Sequence, residues 1–262
     1  MLLAVDIGNT NIKMALFKGE KILRSFRFVT DKDITLKQCQ HLLRKLFTQK
    51  KVKNTNAIEE IIICSVSPRL TVMFKKALSI LLKKRPLILG KDIIAPIKNL
   101  YKKPKQVGQD RLANAVAAFS KYGGPVIIVD FGTALTFDLV TAAGSYLGGI
   151  IVPGIEISLK ALIKNTDLLP EIDLGRPKEF LGRETVSSMK SGVVYGYSFL
   201  VERMLQELKK RLKPTPQVIA TGGKASLIMH YCRAINRVDQ NLTLQGLKIA
   251  FQGRKQVKTG KK

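Results

Sequence analysis

Leu2-Leu3-Ala4-Val5-Asp6-Ile7-Gly8-Asn9-Thr10-Asn11 opens the chain, and Val126-Ile127-Ile128-Val129-Asp130-Phe131-Gly132-Thr133-Ala134 repeats its pattern near the middle. In each copy an apolar, β-prone run ends on an aspartate. Gly and small hydroxyl or amide residues follow, and then a second apolar segment, Ile12–Phe17 or Leu135–Val140. The pattern predicts a strand, a tight turn and a returning strand, a hairpin whose backbone N–H groups can face a phosphate. The aspartate at the strand end is placed to hold a cation or its water. One such turn is ordinary, because Asp and Gly are common turn residues. Two copies, each ending a strand of buried type, point to a duplicated fold with a nucleotide clamped between its halves.

Outward from these hairpins, the two halves run in the same order. In the first, strands are predicted at Leu2–Asp6, Ile12–Phe17 and Lys21–Val29, and an amphipathic helix at Ile34–Thr48. A strand at Ile61–Ser65, a helix from Pro68 to about Lys83, and a short strand at Leu87–Leu89 follow. Pro96 and Pro104 mark Ala95–Val107 as an irregular loop, and a helix spans Gln109–Tyr122. The second half restarts with strands at Val126–Asp130, Leu135–Val140 and Tyr146–Val152. Helices are predicted at Ile155–Lys164 and Thr185–Lys213, then a strand at Gln217–Ala220 and a helix at Lys224–Cys232. This is an α/β protein of two similar halves, mixed sheets flanked by helices. The expected division is 1–122, 123–253 and a frayed basic tail at 254–262, with the seam at Gly123-Gly124.

Composition narrows the function. The chain has 262 residues, of which 45% are hydrophobic, as a globular protein requires. Every apolar run stops well short of the ~20 residues of a membrane span, and Asp6 interrupts the N-terminal one, against a signal peptide. Cys39, Cys64 and Cys232 are isolated and odd in number, which speaks against a disulfide framework or a Cys-based zinc site. His41 and His230 are the only histidines, which weakens any Ser-His or metal-hydrolase reading. The cytoplasm is the expected location. The formal net charge of +26 would suit a polyanionic partner, but its lysines and arginines are spread along the chain. They are not interleaved with aromatics as a base-stacking surface needs, so no specific nucleic-acid partner is expected.

Further motifs carry chemistry. In Gly108-Gln109-Asp110-Arg111 the acid and the base sit at the start of a helix. There Arg111 can orient an anion and Asp110 can accept a proton from a hydroxyl. Taken alone, the segment reads more readily as Asp110 favouring the helix N-terminus and Arg111 reaching out to solvent. Gly148-Gly149-Ile150-Ile151-Val152-Pro153-Gly154 is a strand that brings backbone close to a ligand or a partner subunit, or a plain strand-to-helix connector. Thr221-Gly222-Gly223 follows a strand and opens a helix, a geometry suited to the ribose or phosphate of a nucleotide.

The order of these pieces, with Gly182-Arg183-Glu184-Thr185 and Ser191-Gly192…Tyr195-Gly196, resembles the type III pantothenate kinases over essentially the whole chain. That family belongs to the acetate and sugar kinase, Hsp70 and actin superfamily, so the resemblance implies duplicated actin-like (ribonuclease H-like) domains. It implies ATP-dependent phosphorylation of pantothenate, the first step of coenzyme A synthesis. By the same resemblance Asp6, Ile7, Gly8, Asn9, Thr10, Asn11, Ile12 and Lys13 form the ATP phosphate loop, with Asp6 near Mg2+, directly or through water. Thr133 is a further ATP contact. Asp110 is the proton acceptor within the substrate segment Gly108, Gln109, Asp110 and Arg111, and Tyr101 and Thr185 are further substrate positions. Asp130 matches a monovalent-cation ligand for K+ or NH4+. The resemblance also implies a homodimer with the active site at its interface, where Thr185 serves the neighbouring subunit. The sequence departs from the family at Met14-Ala15, where many members have a Gly, and Lys13 is open to either a phosphate or a solvent role. A non-catalytic regulator of the same fold, like the Bvg accessory factors, is the alternative; intact Asp6, Asp110, Asp130 and Thr133 speak against it.

Overall fold

The computed structural model describes residues 1–49, 52 and 55–259. The chain runs β1 (Leu2–Ile7), β2 (Asn11–Lys18), β3 (Lys21–Val29), α1 (Leu36–Gln49), β4 (Glu60–Ser65), α2 (Pro68–Leu82), β5 (Leu87–Ile88), β6 (Lys98–Asn99) and α3 (Gln109–Tyr122). It continues through β7 (Val126–Phe131), β8 (Ala134–Val140), β9 (Ser145–Pro153), α4 (Ile155–Lys164), α5 (Thr185–Lys209), β10 (Gln217–Gly222), α6 (Ala225–Met229), β11 (Arg237–Val238) and α7 (Leu242–Thr259).

The predicted repeat is a repeat of topology. One sheet has the order β3-β2-β1-β4-β5, and the other contains β9-β8-β7-β10-β11 with β6 added beside β9. In both, an antiparallel hairpin on one side of the lead strand meets parallel strands on the other. The lead strands match residue for residue in burial: every position of β1 and of β7 is buried except the aspartate, Asp6 or Asp130, which is partly exposed. Strands covered on both faces tolerate only apolar side chains, so the one polar residue near the strand's end marks where the cover stops.

The chain forms two compact units: Met1–Ile97 with Lys103–Ala117 and Leu242–Lys262, and Lys98–Lys102 with Ala118–Asn241. The boundary thus cuts α3 between Ala117 and Ala118, and the last helix belongs to the first unit. In that unit Leu3, Val5 and Ile7 join Cys39, Leu43 and Phe47 of α1 and Leu70, Phe74 and Leu78 of α2 in one core. Each such side chain, fully buried, contributes about 1.5–3 kcal/mol of transfer free energy. Ser67 caps α2, accepting from the Leu70 N–H at 3.5 Å, and Pro68 occupies the first turn, where its missing N–H costs nothing. In the second unit Ile127, Val129, Phe137, Val194, Val201, Leu205, Val218 and Ala220 form the corresponding core.

Four expectations are corrected. The loop Ala95–Val107 contains strand β6, paired in parallel with β9 (Lys98↔Ser145, Asn99↔Tyr146), and a single 3-10 turn at Pro104–Gln106. Helix α5 stops at Lys209, not Lys213, because residues before a proline disfavour α geometry; the chain tightens instead through i→i+3 bonds, Arg211 N–H to Leu208 O and Leu212 N–H to Lys209 O. Helix α6 is five residues long. Helix α7 continues through Thr259 in place of a frayed tail after Gly253; residues 260–262 lie outside the described residues. It packs on β1, β2 and β4. Its Lys248 is buried, ion-paired to Glu20 in the β2–β3 turn and stacked 5.9 Å from the Phe17 ring centre. Hydrogen bonds from Lys248 and Gln252 hold the Glu20 carboxyl below its usual range. Among the described residues no helix is long and apolar enough to cross a membrane.

Candidate active site

In the first unit the hairpin turn between β1 and β2 is closed by the Gly8 N–H donating to Asn11 O at 3.0 Å. A side chain at residue 8 would bring a Cβ within 2.9 Å of that same carbonyl, so the turn asks for glycine. Across the sheet Cys64, Asp6, Lys13 and Arg27 are successive partners on β4, β1, β2 and β3. Directly paired residues share a face, so Lys13 and Arg27 stand on the Asp6 face, with Lys13 half-buried and Arg27 exposed.

The Gly108–Arg111 segment reaches the same place. Burial first, and then the charges of Asp6 and Asp110, push the Cys64 thiol well above its usual value. Asp6 is the strand partner of Cys64, and the charge of Asp110 is felt at the same thiol although 104 positions separate the two aspartates in the chain. Asp110 is the second residue of α3, and its Oδ1 accepts from the Arg111 N–H at 2.9 Å. The carboxylate folds back over Gly108, where a Cβ would collide with it. Gln109 lies against Gly90, whose φ of +83 is a conformation that L side chains rarely adopt, so a substitution there is strained.

In the second unit, Gly132 N–H donates to Ala134 O at 3.1 Å, and Gly154 N–H donates to Thr133 O at 3.1 Å. A Cβ on Gly154 would sit 2.5 Å from Gly132 O and 2.7 Å from Thr133 C, so the Pro153-Gly154 turn is built to lie against the second hairpin. Gly222, at φ +93, lies over Phe131 and Asp130 in the same way: its Cβ would be 2.7 Å from Asp130 Oδ1. Thr221, the parallel partner of Asp130, is buried, and its Oγ1 has no hydrogen-bond partner among the described residues. Thr133 is exposed at the hairpin tip. Tyr101 lies against Gly148, where a Cβ would come within 3.3 Å of its ring, and Leu100 N–H donates to Tyr146 O at 2.9 Å. Thr185 is exposed on the first turn of α5, behind a capping box made by Glu184 and Ser187.

A family model described as Type III pantothenate kinase matches residues 2–207. The chain belongs to the type III pantothenate kinases. The type III pantothenate kinase of Citrifermentans bemidjiense is 42% identical over 255 residues, covering 97% of this chain and 100% of its own. Among solved structures, a conserved Campylobacter jejuni protein assigned to the Baf family of transcriptional activators superposes with a TM-score of 0.60 at 19% identity, covering 97% of this chain and 99% of its own. MreB 5 of Spiroplasma citri, bound to AMPPNP, does so with 0.58 at 11% identity, covering 99% and 98%. At such identities these two likenesses speak for the fold alone, and that fold is the actin-like one.

For this kinase the sequence had no motif that singled out Arg27 or Cys64; only strand register places them beside Asp6. Thr221 stood in the Thr221-Gly222-Gly223 motif, and register makes it the partner of Asp130. The thiols themselves are inert by environment. Burial raises the Cys39 thiol to about 12 and lifts those of Cys64 and Cys232, and all three side chains are buried. Since the thiolate is the reactive form, native protein at about pH 7.5 should take up no disulfide reagent on the timescale in which unfolded chain titrates three thiols. Rapid labelling of one native thiol would contradict the burial described here.

Proposed function

We propose that Asp110 is the general base with which this kinase phosphorylates pantothenate from ATP, and that the Asp6–Lys13 hairpin holds the nucleotide's phosphates. The observation that supports this reading is that Asp6, the strand partner of Cys64, and Asp110 both act on the Cys64 thiol, as a phosphate hairpin and a base sharing one neighbourhood would. Phosphoryl transfer asks a protein for positioning and charge neutralisation more than for covalent chemistry. Lys13 and Arg27, on the Asp6 face, can offset phosphate charge. Asp110 accepts the proton as the primary hydroxyl oxygen of pantothenate bonds to the γ-phosphorus and the bond to the β-phosphate oxygen breaks, leaving ADP and 4'-phosphopantothenate. Arg111, beside it, binds the polar end of the substrate.

An ATP-using kinase of this fold works with a divalent cation. In our reading that cation would be Mg2+, which Asp6 would hold directly or through water and which would supply neutralisation of phosphate charge. The Asp130 carboxylate and the buried Thr221 hydroxyl are hard oxygen donors side by side, and that donor set fits a monovalent cation such as K+ or NH4+. Thr133 supplies an ATP contact, while Tyr101 and Thr185 serve pantothenate, Thr185 across a homodimer interface. The chain works in the cytoplasm. No observation favours the regulatory alternative.

The test is ADP release with MgATP and pantothenate, in potassium or in sodium. Pantothenate-dependent release, several-fold faster in potassium, is the expected result. Equal rates in both salts would remove the cation role of Asp130, and absence of pantothenate dependence would remove the substrate assignment.

A further inference from the structure

A hairpin that cradles phosphate must present its N–H groups and turn its carbonyl oxygens away, because each carbonyl carries the negative end of a peptide dipole. In the first hairpin two of those carbonyls are held by one residue. Thr30, just past the end of β3, donates its hydroxyl to Gly8 O at 2.8 Å and its backbone N–H to Thr10 O at 2.9 Å. Beside it, Arg27 Nε donates to Asn11 Oδ1 at 3.3 Å. The third strand thus grips the turn from outside at Gly8, Thr10 and Asn11, while Gly8 N–H closes it from within.

We infer that Thr30 is a positioning residue for the nucleotide: its hydroxyl sets the orientation of the Gly8 peptide and so the direction in which the turn presents its N–H groups. The inference rests on the reading of Asp6–Lys13 as the phosphate hairpin. The backbone bond to Thr10 survives any non-proline substitution, so the hydroxyl's part can be isolated. Thr30→Val keeps the branched shape and leaves Gly8 O without its donor, whereas Thr30→Ser keeps the hydroxyl.

Two readouts test it on the full chain: calorimetric binding of Mg2+ with a non-hydrolysable ATP analogue, and steady-state kinetics for both substrates. Thr30→Val should weaken analogue binding and raise KM for ATP by about tenfold, equivalent to about 1.4 kcal/mol. KM for pantothenate should stay within about twofold, and Thr30→Ser should restore ATP affinity to within about threefold of the parent. A Thr30→Val protein with unchanged analogue affinity and KM for ATP would overturn the inference alone. So would a rise in both KM values that accompanies a lowered melting temperature, since that is the mark of a merely structural residue. A parent protein that binds no analogue would instead bring down the hairpin reading and the inference with it.

Discussion

Asp110→Asn is expected to lower kcat by about 10²–10⁴-fold, the range over which a positioned general base acts, while leaving nucleotide affinity and melting temperature close to those of the parent. The asparagine retains an oxygen where Asp110 Oδ1 now accepts from the Arg111 N–H, so the first turn of α3 keeps its local bond. Its volume fits the space that Gly108 leaves open. What it cannot do is take a proton from the hydroxyl of pantothenate. Because the hairpin proposed to hold the nucleotide's phosphates is a separate segment, analogue binding measured by calorimetry should be within about twofold of the parent, a bound set by what one partly solvated charge contributes. Turnover within about fivefold of the parent would remove Asp110 from the base role. A loss of turnover accompanied by lost nucleotide binding would indicate instead that Asp110 supports the Asp6 hairpin.

Much of this was legible in the chain because local chemistry and global fold agree. Strands β1 and β7 read correctly because burial on both faces demands uninterrupted apolar residues, and the aspartate that interrupts them is the candidate functional residue. Helix α2 announced itself through Pro68, which occupies its first turn. Strand β6 did not, since two residues between prolines carry no period and gain their place only by pairing with β9. Helix α7 was hidden for two reasons. Leu242, Leu244, Gly246 and Gly253 mimic a strand and its breakers, and buried Lys248 is intelligible only once Glu20 is known to sit opposite. The Thr30 contacts were equally out of reach, since they depend on the register that pairs Asn11 with Val29 and so brings the residue after β3 to the β1–β2 turn. Candidate site residues followed motifs; the residues around them followed register, which a single sequence states weakly.

The glycine that obscured α7 is also the position where the second large effect is expected. Gly246 lies against the backbone of α3: a Cβ there would run into the Ala113 carbonyl, 2.5 Å from its carbon and 2.9 Å from Ala113 Cα. Neighbouring Thr243 donates its hydroxyl to Asn114 Oδ1 at 2.8 Å, buried, so the two helices are locked at this distance and cannot ease apart without breaking that bond. Backbone cannot rotate out of the way as a side chain would, and overpacking of this kind costs about 1–3 kcal/mol or more. Gly246→Ala should therefore lower the melting temperature by several degrees, about 2–4 °C per kcal/mol for a chain of this size. Gly253→Ala, in the same helix, is the control. Its Cβ would meet Pro96 at an ordinary 3.9 Å, and alanine's higher helix propensity should leave stability unchanged or raise it by up to about 1 kcal/mol. Equal behaviour of the two variants in thermal unfolding would mean that α7 does not press on α3 as described. The stability effect should also reach function, because α3 begins at Gln109 and Asp110. A helix shifted to admit the added methyl moves the candidate base, and a displacement of about 1 Å at a reacting group costs about 10²-fold in rate. At a temperature where both proteins remain folded, Gly246→Ala should thus show a lowered kcat with analogue binding retained, whereas Gly253→Ala should match the parent in both.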